Sequence, residues 1–243
     1  DVEQTFRLAS RRPESEPIPF VYREVPPKIN LDDLGAYPIY KGNPKKPMVS
    51  LMINVAWGNE YIPKILDVLD KQNVRATFFF DGSWLAKNAE TARLIHQKGH
   101  EMANHAYSHP QMSRLSRERA VEEITKTQRL LKEQFGVDNK LFAPPSGDYS
   151  EETVRIAHEL KLKTILWTLD TVDWKKPKPE TIVRKIAAHV EPGSLILMHP
   201  TFSASAALEP IIQEIKRKKL VLGTVSELIS PKRVPVVESG INF

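Results

Sequence analysis

Short apolar runs alternate with longer stretches of helical spacing along most of the chain. Runs at 48–54, 76–80, 100–104, 140–142, 163–168, 194–198 and 220–222 read as strands. Between them, apolar side chains recur three and four residues apart. Ile62, Ile65, Leu66 and Leu69 form one such stripe, and 89–97 carries another. A long amphipathic stretch at 117–135 points Val121, Ile124, Leu130 and Leu131 inward. Further helices are predicted at 151–160, capped by Ser150, at 179–189 and at 206–218. This alternation predicts an α/β fold with parallel strands inside and helices outside. About seven such units suit a closed or nearly closed (β/α) barrel of distorted TIM-like form, with a doubly wound open sheet as the alternative.

The first 43 residues break this pattern. Pro13, Pro17, Pro19, Pro26 and Pro27 punctuate charged, weakly periodic sequence, which excludes a long helix or a central strand. Residues 1–43 are read as an extended arm with short strands lying against the body, and 44–243 as one domain. The arm is expected to add nothing to the chemistry of the cleft.

Composition then narrows the function classes. With 243 residues, 41% of them hydrophobic, the chain can bury a sizeable core. No apolar run approaches the ~18 residues of a membrane span. The absence of cysteine excludes a disulfide scaffold, a zinc ribbon, iron–sulfur chemistry and a thiol nucleophile. The glycine-rich dinucleotide fingerprint and the P-loop are missing too. A net charge of +5 is compatible with anionic partners, but the excess is spread along the chain. The short cluster Lys216, Arg217, Lys218 and Lys219 reads as a solvated helix face, so nucleic acid is not an expected partner. The sequence begins at Asp1, consistent with a signal peptide or anchor removed ahead of it. Membrane attachment is expected only through such an anchor, and a monomer is expected.

In parallel β/α folds, the loops that follow the strands carry the chemistry. There this sequence places Asn54, Trp57 and Asn59, then His105, Tyr107 and His109, then Ala143, Pro145 and Asp148, then Asp170, Asp173 and Trp174, and finally His199. His105 and His109 stand four apart, a spacing that suits two ligands of one metal ion. His199 follows a buried strand, and Asp173 could orient its ring and raise its basicity. Trp57, Tyr107 and Trp174 offer flat apolar faces on which sugars stack, as core side chains also do. His96, His100, His158 and His189 fall in helices or at a strand entrance and read as structural.

In order and spacing these residues resemble the NodB-homology polysaccharide deacetylases, carbohydrate esterase family 4, from about Met48 to Leu228. The first motif ends in Trp57-Gly58, which is similar to the branch found in spore-forming Gram-positive bacteria. The resemblance implies a metal-dependent hydrolase that removes N-acetyl groups from peptidoglycan, chitin oligomers or related polymers. It implies a divalent metal, usually zinc, on one Asp and two His. His105 and His109, in Asn-His-Ala-Tyr-Ser-His-Pro, match the two metal-binding histidines. Asp173 and Trp174 match the Asp that assists the catalytic His and the Trp of the acetyl pocket. Leu197-Met198-His199-Pro200 makes His199 the counterpart of the general acid. Pro145 falls in the stretch that matches the third motif, and the resemblance implies that it contacts substrate. An extracytoplasmic location follows from the same resemblance, secreted or anchored at a Gram-positive cell wall, with wall polysaccharide as the partner.

Three positions depart from the family pattern. Asn54 stands where the family has its general-base Asp, Val55 where it has the metal-binding Asp, and Ala143 where it has the Arg that braces the base. Asn54 has no basic lone pair, and loss of a general base costs ~10²–10⁴ in rate. Two imidazoles with water, or with Asn54 or Asn59 as a weak third ligand, hold zinc loosely, so the metal is expected to be weakly bound or absent. Two readings stay open. The favoured one is a degenerate family member, a pseudoenzyme with little or no deacetylase activity, that binds cell-wall glycan or has a structural role. The other is an active deacetylase that uses Asp148, Asp170 or Glu60 as its base.

Overall fold

The computed structural model describes residues 31–232. The chain divides into two units, Asp1–Leu34 and Gly35–Phe243. The described part of the first is a single 3-10 turn, Leu31–Leu34. Residues 1–30, most of the expected arm, lie outside the described residues.

The second unit is built on one parallel sheet. Its strands are β1 (Met48–Val55), β2 (Thr77–Phe80), β3 (Glu101–Asn104), β4 (Leu141–Phe142), β5 (Lys163–Thr164), β6 (Leu169–Asp170), β7 (Leu195–Met198) and β8 (Val221–Gly223). They run in the order β5-β4-β3-β2-β1-β7-β6, with β8 also paired to β1. Every residue of β1 and β2 is buried, as expected of parallel strands covered on both faces. The helices are α1 (Ile62–Lys71), α2 (Gly82–Lys87), α3 (Ala89–Gln97), α4 (Arg117–Phe135), α5 (Glu151–Glu159), α6 (Pro179–His189), α7 (Phe202–Arg217) and α8 (Val225–Ile229). None among the described residues is long and apolar enough to cross a membrane.

The expected barrel is therefore found, in a curled form. The single strand expected at 163–168 proves to be a run that changes partner. Ile165 donates its N–H to Phe142 at 2.7 Å, and Thr168 donates its own to Leu195 at 2.9 Å. The run begins on β4 and ends on β7, which curls the sheet towards closure. Ile39 lies beside the crossing point, donating to Thr164 and accepting from Leu166, each at 2.8 Å.

Two short helices escape the periodicity, because neither is long enough to show a stripe. Asp81 caps α2, and a Thr224–Glu227 capping box starts α8. The Thr201 side chain caps α7, which begins at Phe202 rather than 206. The inward stripe of α4 also differs from expectation. Ala120, Glu123, Ile124, Thr127 and Leu131 are buried, whereas Val121 and Leu130 are half-buried. Two polar residues face inward there because the turn after β3 supplies their partners.

Candidate functional site

Alternation along the strands decides which side chains meet at the mouth of the barrel. Met52, Phe79, Ala103, Leu141, Leu195 and Leu197 pack together inside it. Their neighbours Ile53, Phe78, Phe80, Met102, Ile196 and Met198 pack outside, in the layer shared with the helices. Continuing the period of two past each inward residue reaches Asn54, Asp81, His105, Ala143 and His199.

His105 is almost fully buried, and its Nδ1 lies 2.7 Å from the carbonyl of Ala143. A carbonyl only accepts, so Nδ1 carries the proton and Nε2 keeps its lone pair. Burial, and then the neighbouring His109, push the His105 pKa down to about 3, so the ring is neutral at pH 7. The exposed His109 ring sits 5.3 Å away, centroid to centroid, at 74°.

His199 is held from behind. Its Nδ1 lies 2.9 Å from Asp173 Oδ1, and its backbone N–H donates to Oδ2 at 2.7 Å. The Thr171 hydroxyl adds a third donor at 3.0 Å, so the fully buried Asp173 carboxylate is well satisfied. Trp57 lies parallel to the His199 ring, with centroids 6.0 Å apart. Trp57, Trp174 and Phe202 are all exposed. Their three turns are stitched together. A Cβ on Gly58 would come within 2.0 Å of the Pro200 carbonyl oxygen, and the Ser203 hydroxyl donates to the Pro177 carbonyl at 2.6 Å. Phe202 was not anticipated, although a bulky apolar residue directly after a helix cap is a signal a sequence can carry. One face of Tyr107 is covered by Lys126, whose Nζ stands 3.6 Å above the ring. Pro145 is buried in its turn and shapes the wall rather than offering a face.

The end of β1 itself carries no carboxylate. Asn54 is 4% exposed, and its Oδ1 has no hydrogen-bond partner. Val55 packs in the apolar layer under the helices. Asn59 is removed as a third ligand, because its oxygen accepts from the Trp84 indole at 2.6 Å. Among the described residues no group of three His, Cys, Asp or Glu side chains comes together. Two imidazoles beside an amide do not make up the three-ligand set, so the residues present do not fit a tightly held metal. The substitute bases are otherwise engaged or displaced. Asp148 uses both oxygens on Ser113, each at 2.8 Å, and Asp170 accepts from the Val172 N–H at 2.7 Å. Glu60 is exposed on the turn after β1.

Asp81 is a buried carboxylate at the mouth that sequence reasoning missed. It caps α2 by accepting from the Trp84 N–H at 3.0 Å and the Ser83 hydroxyl at 2.6 Å. Burial raises its pKa, against the pull of those bonds and of His109. Its place two residues past Phe79 was the available clue. His96, His158 and His189 are exposed, and His100 is buried at the entrance of β3, away from the mouth.

Known proteins resemble this chain in sequence and fold. The polysaccharide deacetylase family pattern matches residues 41–165. The uncharacterized protein YlxY of Bacillus subtilis is 42% identical over 234 residues, 96% of this chain and 73% of that protein. A peptidoglycan-N-acetylglucosamine deacetylase of Bacillus cereus is 34% identical over 184 residues, 74% of this chain and 67% of the enzyme. The solved structure of BA3943 from Bacillus anthracis, a carbohydrate esterase family 4 pseudoenzyme, matches with a TM-score of 0.86 at 42% identity, covering 88% of this chain and 76% of that one. A BA3943 mutant with restored enzymatic activity matches with the same TM-score at 40% identity, covering 88% and 79%. Barrel, motif order and relatives agree that this chain belongs to the polysaccharide deacetylase family, carbohydrate esterase family 4.

Proposed function

We propose that the chain binds N-acetylated cell-wall glycan, of the peptidoglycan or chitooligosaccharide kind, and is impaired as a deacetylase. The observation that carries this reading is the donor set of the mouth, with two imidazoles, an amide with an unpartnered oxygen and, among the described residues, no group of three His, Cys, Asp or Glu side chains. Amide hydrolysis needs a polarised acetyl carbonyl, a base to take a proton from water and an acid to deliver one to the leaving amine. His199, oriented by Asp173, suits the last role. Asn54 cannot fill the second. Zinc is held weakly or not at all at His105 and His109. The sugar rests on Trp57, Trp174 and Phe202, with Tyr107 and Pro145 shaping the wall. The relatives support an extracytoplasmic place, secreted or anchored at a Gram-positive cell wall.

Titrating the chain with N-acetylated chitooligomers and muropeptides, with acetate measured in parallel and zinc or cobalt added, tests this. Saturable binding that Trp57→Ala weakens is expected, with acetate release at least ~10²-fold below that of an enzyme with its base intact. Turnover equal to the Bacillus cereus relative would remove the impairment. Absence of binding to any N-acetylated oligomer would remove the glycan.

A further inference from the structure

The turn that carries the imidazoles is strained where no complete donor set exists for a metal to organise it. Ala106 and His109 both adopt left-handed backbone, with φ of 60° and 58°. Each such residue costs ~1 kcal/mol or more, and persists only where its surroundings over-determine it. The surroundings here are one face of α4. Glu123, 4% exposed, accepts from the N–H of Tyr107 at 2.9 Å and of Ser108 at 2.8 Å through Oε2. Its Oε1 accepts from the Ser108 hydroxyl at 2.7 Å. One helical turn on, the Thr127 hydroxyl donates to the Ala106 carbonyl at 2.7 Å. Arg119 stands 3.8 Å from Oε1 and offsets the buried charge.

A carboxylate this deeply buried is costly unless its oxygens are filled, and here three donors from one short turn fill them. Those donors belong to Tyr107 and Ser108, which lie between His105 and His109 in the chain. We propose that Glu123 is a positioning residue that holds the imidazole pair at its spacing without any metal, doing for this turn what a bound ion does for a complete site. The inference rests on the reading of a metal-poor mouth. It explains how a cleft that has lost a ligand keeps the other two in register.

The test uses the full chain, stripped of metal with a chelator. Ring resonances of His105, His109 and His199 and amide exchange at Tyr107 and Ser108 are compared in wild type, Glu123→Gln, Glu123→Ala and Ser108→Ala. Exchange at the two amides should quicken roughly 10–100-fold in Glu123→Ala and less in Glu123→Gln, the scale of losing charge-assisted hydrogen bonds. The His105 and His109 resonances should move with it. Those of His199, held by Asp173, should stay. Ser108→Ala removes one contact from a surface position and should shift the same resonances by less, which decides the matter if the Glu123 variants fail to fold. Cobalt affinity of the Asn54→Asp, Val55→Asp, Ala143→Arg variant should fall ~10–100-fold when Glu123→Gln is added. Unchanged His105 and His109 resonances in folded Glu123→Ala, or in Ser108→Ala where that variant alone folds, would overturn the proposal. A wild type that bound metal tightly would instead overturn the metal-poor reading, and the metal-stripped spectra would still judge Glu123.

Discussion

The turn after β3 and the end of β1 share one cleft but are held in different ways. Past β3, the imidazole turn is supported from behind. His105 leans on the Ala143 carbonyl, and the turn to His109 hangs on Glu123. At the end of β1, Asn54 carries an oxygen with no partner, and Val55 faces the apolar layer. The groups that would do chemistry and the groups that position them are thus separable. Ala143 shows this within a single residue, since its methyl side chain can brace no carboxylate while its carbonyl fixes the His105 tautomer.

The comparison can be broken most severely on the β1 side. Val55→Asp alone places a carboxylate in the layer under the helices and should cost about 3–5 kcal/mol in denaturant unfolding, because nothing there pairs with it. Added zinc should recover part of that loss by drawing the new carboxylate towards the imidazoles. On the intact side, Asp173→Asn leaves the His199 ring and backbone N–H groups competing for one acceptor. Unfolding should show a loss of about 2–3 kcal/mol, and the His199 resonance should shift while those of His105 and His109 do not.

The base of the barrel provides a contrast with the mouth. Burial pushes His100 down to about 4, while its Nδ1 accepts from the Ala76 N–H. A folded pKa below the unfolded one means stability that is complete above about pH 6.5 and lost as pH falls towards 4. Between pH 7 and 5 this site should account for about 2 kcal/mol of acid sensitivity, and His100→Gln should flatten the pH–stability profile by that amount. The smallest effect is expected from Ser150→Ala. It removes half of the α5 capping box, should cost about 1 kcal/mol by thermal unfolding, and should leave glycan binding unchanged.

Much of this molecule was legible because its signals are periodic. The helices at 89–97, 117–135 and 179–189 lie where their stripes place them, and β1, β2 and β7 lie in the continuous apolar runs read as strands. His105, His109, Asp173 and His199 could be singled out because imidazoles and carboxylates at strand ends have few other reasons to gather there. What stayed hidden has a common cause. Asp81, Glu123 and Thr127 act through backbone groups of residues distant in sequence, and no local pattern marks that. Glu123 even looks like an ordinary solvent-facing charge on an amphipathic helix until β3 is laid against it. The partner change between β5 and β6 is hidden in the same way, since one extended run reads identically whichever strand lies beside it.

The central claim is that this mouth lacks a base and a ligand while its acid, imidazole pair and supports remain in place. It is tested most directly by acetate release from an N-acetylated chitooligomer with added zinc. Wild type, Asn54→Asp, Val55→Asp and the variant carrying both with Ala143→Arg would be compared. The account expects little release from wild type and from either single variant, and a gain of at least ~10²-fold in the triple variant, because base, ligand and brace act as a unit. A wild type already as fast as the triple variant would contradict it.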